Sequence, residues 1–208
     1  MKKLKCALVA LLLISAGISL KAQNPLLTKI SAAQEKISSF ESGFIQTRKN
    51  TVSGMKTTAK GTMFFSKPSS MALEFEKMDE DHVVINGDIY FVRQAKVANT
   101  FDVSKNAPVK TLRNTLMWCL DGHPEKVAAE VDAKITASET SSAYVVVLTA
   151  NQKQVRGYSK IILNYRKSDG LLTKMIMEEF TGMTTEYALT APKPNASVDA
   201  SHFAIPKK

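Results

Sequence analysis

The sequence is poor in the residues from which catalytic and metal centres are commonly built. Among 208 residues there are two cysteines, one tryptophan and three histidines. His82, His123 and His202 are far apart, and none has a second ligand at the three- or four-residue spacing of zinc motifs. There is also no Gly-x-Ser-x-Gly nucleophile elbow and no glycine-rich phosphate loop. We therefore expect no enzymatic activity, no catalytic residue, no metal and no cofactor.

Cysteine is too scarce for a disulfide framework. Cys6 lies in the apolar segment near the N-terminus, and Cys119 lies between Trp118 and Leu120. If the N-terminal segment is removed, Cys119 has no partner for an internal disulfide. Its apolar neighbours favour a small buried side chain over a reactive thiol.

Long apolar runs are also missing. The run at residues 6–20 has 15 residues, whereas a membrane-spanning helix needs roughly 20. It follows three lysines and ends shortly before Ala22 and Gln23, which is the pattern of a secretory signal peptide. We expect residues 1–22 to be removed and residues 23–208 to form a single domain in the periplasm. A permanent membrane anchor is the alternative.

The positive charge is modest once this segment is set aside. Removing Lys2, Lys3, Lys5 and Lys21 lowers the formal net charge from +9 to +5. The remaining basic residues form no clustered stripe, so nucleic acid is not an expected partner. A solvated basic surface, or weak attraction to anionic membranes, fits this charge.

Two segments have the spacing of apolar residues that is typical of helices. The first is residues 25–40, which begins at a proline after Asn24 and repeats apolar residues every three or four positions. The second is residues 111–120, where Leu112, Leu116 and Leu120 share one face. Gly122 and Pro124 follow the second segment and are expected to end it.

The rest of the chain alternates short apolar and β-branched runs with turn signals such as Asn86-Gly87 and Thr181-Gly182. This pattern predicts an antiparallel sheet in up-and-down order. The predicted strands are 40–49, 57–66, 70–77, 81–86, 89–94, 97–103, 131–138, 142–150, 158–166, 171–180, 183–190 and 202–205.

Several of these strands are apolar on both faces, as in Met63-Phe64-Phe65 and residues 144–148. A sheet with one solvated face would alternate apolar and polar residues. The pattern fits either an ordinary two-sided core or a curved sheet whose inner face holds an apolar ligand. Glu74 and Glu76 share one strand face, which we interpret as solvated rather than as an acid–base pair.

Four motifs, in order along the chain, resemble those of the LolA family of outer-membrane lipoprotein carriers. Residues 39–46 resemble its opening Phe-x-x-x-Phe-x-Gln strand, and residues 61–68 resemble its Gly-x-hydrophobic-x-x-x-[Lys/Arg]-Pro hairpin. Residues 83–87 resemble its Ile-Val-x-Asp-Gly turn, and residues 198–203 resemble its closing Val-Asp-x-x-x-Phe. The resemblance runs from about Leu26 to the C-terminus.

The resemblance implies a mainly β (α+β) fold, an incomplete antiparallel β-barrel capped by the N-terminal and mid-chain helices. Helix 111–120, with Leu112, Leu116 and Trp118, would be part of a lid over an apolar cavity. Lys67 stands where many members have an arginine that helps to hold the lid shut, and Leu73 stands where many have a tryptophan. The residues expected to contact the acyl chains are Met63, Phe65, Met71, Leu73 and Phe75, provided that this strand face, rather than that of Phe64, points inward.

The function that the resemblance implies is a carrier that binds the acyl chains of lipoproteins. Its expected partners are acylated lipoproteins, an inner-membrane ABC transporter and an outer-membrane acceptor, with the carrier itself a monomer. Two alternatives stay open: a periplasmic hydrolase that acts on a lipid, and a signalling or scaffold module of the same shape that binds a protein.

Overall fold

The computed structural model describes residues 24–76, 81–152 and 156–205, and within these ranges it has three α-helices and eleven strands. The expected signal segment 1–22 lies outside the described residues. The helices are α1 (Pro25–Gln34), α2 (Ala107–Leu120) and α3 (Pro124–Glu130). The strands are β1 (Ser39–Asn50), β2 (Lys56–Ser66), β3 (Ser70–Phe75), β4 (His82–Asn86), β5 (Ile89–Gln94), β6 (Val97–Asp102), β7 (Ala133–Glu139), β8 (Ala143–Ala150), β9 (Tyr158–Arg166), β10 (Leu172–Glu179) and β11 (Met183–Pro194).

All eleven strands form one antiparallel sheet in the order β6-β5-β4-β3-β2-β1-β11-β10-β9-β8-β7. Neighbours in the sheet are neighbours in the sequence except at the centre, where β1 pairs with β11 and joins the two halves. The outer strands β6 and β7 do not pair, so the sheet is not closed. The predicted incomplete antiparallel barrel is confirmed.

The sheet curves around one core. Apolar residues from both halves, such as Ile85 on β4 and Leu148 on β8, belong to the same buried cluster. The three helices add Ile30, Met117 and Val127 to that cluster. Because residues from distant strands meet the same helices, the inner face must be concave, and the helices lie across it.

The first helix is shorter than predicted. It begins as expected at Pro25, where the Asn24 side chain accepts a hydrogen bond from the Leu26 amide. It ends at Gln34, and Phe40, which was predicted to lie on its apolar face, belongs to β1. The spacing of Phe40 and Phe44 fits a strand face as well as a helix face, and pairing of β1 with both β2 and β11 decides between them.

The middle segment contains two helices rather than one. Helix α2 begins four residues before the predicted start, because Asn106 caps it and proline is tolerated in a first helical turn. Pro124 was expected to end a helix but instead begins α3, by the same rule. This second helix was missed because its seven residues are too short to show a helical period.

The C-terminal segment is the third correction. Residues 202–205 were predicted to be a strand, but the chain forms a 3₁₀ turn at Ala200–Phe203, capped by Asp199. This segment covers the outer face of the first half-sheet, where Phe203 packs with Phe64, Val84 and Phe91. Both faces of these strands are therefore buried, the inner one by helices and the outer one by the chain's own end.

None of the helices in the described ranges is long and apolar enough to cross a membrane.

Close packing fixes α1 against the end of α2. Gly122 follows α2 with a φ of +74°, and a Cβ placed there would lie 2.6 Å from Gln34 Cγ. The Gln34 side chain is fully buried, and its Nε2 donates a 2.8 Å hydrogen bond to the Gly170 carbonyl. The two helices can therefore approach this closely only with glycine at position 122.

We expect Gly122→Ala to destabilise the fold more than Gly87→Ala. Both positions have positive φ, which costs a side-chain-bearing residue about 1–2 kcal/mol. At Gly87 a new Cβ meets nothing within 4 Å, whereas at Gly122 it overlaps Gln34. Overpacking of this kind adds about 1–3 kcal/mol. Urea unfolding measures both variants, and equal losses would contradict the packing argument.

Candidate functional site

Within the part of the chain that the structure describes, three cavities lie between helix α2 and the inner face of the sheet. The inner pocket, of about 20 Å³, is enclosed by Met63, Met71, Leu73, Leu172 and Met175 together with α2. The central cavity, of about 450 Å³, lies along β1, β5 and β11, and the edge cavity, of about 510 Å³, lies against β7–β9. The last two have the size of small-molecule binding sites.

Helix α2 forms a wall of all three cavities with one apolar stripe. Leu120 lines the inner pocket, Leu116 lines the inner pocket and the central cavity, and Leu112 lines the central and edge cavities. These leucines are four residues apart, so they lie one above another on the same helix face. The cavities adjoin one another beneath this stripe.

Four of the five residues predicted to contact acyl chains line these cavities. Met63, Met71 and Leu73 line the inner pocket, and Leu73 and Phe75 line the central cavity. Phe65 lies on the same inner face but is fully buried and stacks on Phe40, with ring centroids 5.1 Å apart, so it lines none of the three. Phe64, the alternative inward residue, lies on the outer face.

The residues predicted to belong to a lid occupy different positions on α2. Leu112 and Leu116 lie on the cavity walls, as described above. Trp118 is partly buried against the core cluster and lines none of the three cavities. It follows Leu116 by two residues, about 200° around the helix, which turns it away from the leucine stripe.

Lys67 holds the C-terminal end of α2. Its Nζ lies 2.7 Å from Asp121 Oδ1, at the cap of α2, and donates a 2.7 Å hydrogen bond to the Gln34 carbonyl at the end of α1. The two acceptors belong to different helices, so a single ammonium can bridge them without the planar fork of an arginine. The sequence alone left the contacts of this lysine open, and the structure places it between both helix ends.

Further contacts fix the same end of α2, whereas its first turn is exposed. The hydroxyl of the fully buried Tyr165 donates a 2.8 Å hydrogen bond to the Cys119 carbonyl. In the middle of the helix, Asn114 Nδ2 donates to both oxygens of Glu130, the last residue of α3. Ala107 and Pro108, by contrast, are exposed at the rim of the edge cavity. Helix α2 thus has side-chain anchors at its C-terminal end and in its middle, whereas Ala107 and Pro108 of its first turn are exposed.

The polar residues of the central cavity were not predicted from the sequence. Gln46 and Arg48 continue the inner face of β1 beyond Phe40 and Phe44, and three tyrosines, Tyr90, Tyr158 and Tyr187, line the same cavity from other strands. The signal for Gln46 and Arg48 was their period of two after the two phenylalanines. Nothing in the sequence indicates that the three tyrosines converge, because they lie on β5, β9 and β11.

Burial makes these three tyrosines weaker acids than a tyrosine in water. It raises the pKa of Tyr90 to about 12, with a smaller contribution from Tyr187. Burial likewise raises the pKa of Tyr158, and that of Tyr187 despite the hydrogen bond from Gln46. All three are therefore neutral phenols at any physiological pH, able to donate hydrogen bonds.

The histidines and the cysteine of the described ranges are not assembled into a metal site. Within the described ranges, no group of three histidine, cysteine, aspartate or glutamate residues is placed to hold a metal ion. His123 Nδ1 lies 3.0 Å from Glu125 Oε1, and His202 Nδ1 lies 2.7 Å from Glu74 on the outer face. Cys119 is fully buried, and that burial raises the pKa of its thiol.

Comparisons with known proteins agree with this architecture. The model of the family described as "Outer membrane lipoprotein carrier protein LolA" matches residues 35–206. No curated protein matches the chain.

Among solved structures, a LolA superfamily protein from Nitrosomonas europaea is 12% identical and has a TM-score of 0.44, with 87% of this chain and 96% of that one covered. MucB is 13% identical with a TM-score of 0.51, covering 88% and 62%. Mycobacterium tuberculosis lipoprotein LppX is 8% identical with a TM-score of 0.40, covering 85% and 99%.

We expect Lys67→Met to lower the free energy of unfolding by about 1 kcal/mol, because the ion pair is partly screened from water and is reinforced by a charge-assisted hydrogen bond. The matched control is Lys193→Met, which breaks a more exposed pair with Glu41. That control should lower the free energy of unfolding by less than about 0.5 kcal/mol. Urea unfolding of both variants makes the comparison, and equal losses would show that Lys67 does not hold the helix ends.

We also expect the Cys119 thiol to resist labelling in the folded protein. A thiol with a raised pKa is scarcely ionised at pH 8, and burial blocks the reagent. An aromatic disulfide reagent should label the protein rapidly in urea and only at the rate of unfolding in buffer. Fast labelling of the native protein would make Cys119 a candidate nucleophile.

Proposed function

The chain belongs to the LolA family of outer membrane lipoprotein carrier proteins, and on that premise we propose that it binds the acyl chains of lipoproteins and carries them through the periplasm. The family is described as a lipoprotein carrier. The proposal for this chain therefore concerns what the cavities bind and how α2 admits it.

The observation that carries the proposal is the leucine stripe of α2 over three adjoining cavities. An acyl chain is an unbranched apolar ligand, and it needs a long, continuous apolar wall rather than a single deep pocket. Leu112, Leu116 and Leu120 provide such a wall over about two turns of helix. Two of them, Leu116 and Leu120, line the inner pocket together with Met63, Met71 and Met175. Methionine side chains adapt easily to ligands of irregular shape.

The anchoring of α2 supports a lid that opens at one end. Its C-terminal end is held by Lys67 and Tyr165, and its exposed N-terminal turn lies at the rim of the edge cavity. Each methylene transferred from water into the cavity gains about 0.8 kcal/mol. Displacing part of the leucine stripe from its own contacts offsets some of that gain, which keeps binding reversible and allows handover without a covalent step.

The proposed location and partners are based on the signal-peptide pattern of residues 1–22 and on the resemblance to the family. The signal peptide over residues 1–22 would be cleaved during export, and the mature monomer would act in the periplasm. Its partners would be acylated lipoproteins, an inner-membrane ABC transporter as donor and an outer-membrane acceptor.

The identity of the natural cargo can be tested directly. The mature protein is purified from the periplasm without detergent, and the extracted ligand is identified by mass spectrometry. Acylated peptides or lipoproteins support the carrier. A stoichiometric protein partner without lipid would instead favour the protein-binding module, and a cleaved lipid product would favour the hydrolase.

We expect Leu116→Glu to weaken binding of an acylated peptide at least tenfold, because it places a charge where the inner pocket and central cavity meet. The matched control is Val145→Glu. Val145 lies on the outer face of β8, opposite the buried Val146. Displacement of a neutral apolar dye measures both variants, with the unacylated peptide as a blank. If the two variants bind equally well, α2 does not cover the ligand.

A second test uses the single tryptophan of the chain. Trp118 lies on α2 and packs against the core, so its emission reports movement of that helix even though it lines no described cavity. We expect a saturable change in Trp118 emission with acylated peptide and none with the same peptide lacking acyl chains. Constant emission while the dye is displaced would mean that α2 is a fixed wall.

A further inference from the structure

The central cavity holds a polar group that an acyl chain by itself does not require. Tyr90, Tyr158 and Tyr187 come from β5, β9 and β11, and we call them the tyrosine cluster. Gln46 and Arg48 line the same cavity beside them. Strand β1 brings Gln46 directly opposite Tyr187, with which it is paired in the sheet.

The hydrogen bonds of the cluster leave donors unused. Gln46 Nε2 donates a 2.7 Å bond to the Tyr187 hydroxyl oxygen, so the Tyr187 proton is free to point elsewhere. In the part of the chain that the structure describes, the hydroxyls of Tyr90 and Tyr158 make no hydrogen bond to protein. Three phenol protons and the Arg48 guanidinium therefore surround one space.

The cluster lies where the three cavities adjoin. Tyr187 lines both the inner pocket and the central cavity, and Tyr158 lines both the central and the edge cavity. A ligand that extends from the central cavity into either neighbouring cavity therefore passes a tyrosine of the cluster. An acceptor on a ligand in the central cavity would therefore meet donors that no protein group within the described ranges occupies.

We propose that the tyrosine cluster binds an acceptor oxygen at the base of an acyl chain, either an ester carbonyl or a carboxylate. This inference rests on the proposed lipid-carrier function and adds which part of the lipid is recognised. Neutral phenols suit both oxygens, because they donate without requiring a formal charge on the ligand. Phenols are protonated at neutral pH in any environment, and burial raises the pKa values of Tyr90 and Tyr158 further.

Three probes with the same twelve-carbon chain separate the contributions. Dodecanoate carries a carboxylate, methyl dodecanoate carries an ester, and dodecylammonium carries donors but no acceptor. Each is titrated below its aggregation limit into the mature protein, with displacement of N-phenyl-1-naphthylamine as the signal. Tyr158→Phe and Tyr187→Phe are compared with Tyr144→Phe, a tyrosine on β8 that lines none of the three cavities.

We expect each cavity variant to bind dodecanoate, methyl dodecanoate or both about 3- to 10-fold more weakly, the value of one hydrogen bond. Binding of dodecylammonium should not change, and Tyr144→Phe should affect none of the probes. Because Tyr→Phe keeps the ring, loss of packing cannot produce this selectivity. If the variants bind dodecanoate and methyl dodecanoate as tightly as the parent protein, the proposal is overturned.

Arg48→Gln distinguishes the two sources of the acceptor. Weaker binding of dodecanoate with unchanged binding of the ester indicates a carboxylate beside Arg48, as in a free fatty acid. If Arg48→Gln binds dodecanoate and methyl dodecanoate as the parent protein does, and the tyrosine variants lose ester binding, the acceptor is an ester, as in a glycerolipid. If the parent protein binds neither the dye nor any probe, the proposed carrier function fails. If it binds the probes but the tyrosine variants bind them equally well, only the proposal for the tyrosine cluster fails.

Discussion

The structure depends on covering the concave inner face of an open sheet. Eleven strands curve around one apolar cluster, and without hydrogen bonding between β6 and β7 the sheet cannot close over it. Three short helices supply the cover, and they are fixed most firmly at one place. There Lys67 joins the ends of α1 and α2, Tyr165 holds the last turn of α2, and Gly122 lets Gln34 pack beside it.

This arrangement divides the interior into a tight and a loose region. Near the helix ends the core is fully packed, with Phe40, Phe65 and Tyr165 almost inaccessible to solvent. Towards the first turn of α2 the same inner face opens into the central and edge cavities. The fold thus combines a rigid support with open cavities, and the central cavity carries three tyrosine hydroxyls beside charged side chains.

The outer face of the first half-sheet is covered by the C-terminal segment, which explains why β2 to β5 are apolar on both sides. Phe64 and Val84 point away from the helices and are covered by Phe203, while His202 stacks on Phe64 and pairs with Glu74. The Asn86 side chain donates a hydrogen bond to the Phe203 carbonyl and so fixes this segment. An apolar outer face therefore does not signal a second ligand site, because the C-terminal segment already buries it.

Local patterning in the sequence determined most of the strands, the antiparallel order, the shared face of Met63 and Phe65 and that of Met71 and Leu73, and the leucine stripe of α2. Each of these features depends on apolar residues that recur every two positions in a strand or every three or four positions in a helix. Such spacing is visible within a single segment of the chain. Tertiary structure decided the rest: where α1 ends, whether Pro124 ends or begins a helix, and that residues 200–203 cover a sheet face instead of extending it. It also brought Tyr90, Tyr158 and Tyr187 into one cavity, because their convergence depends on the pairing of β1 with β11 and on the curvature of the sheet, contacts between residues far apart in the sequence that no local period encodes.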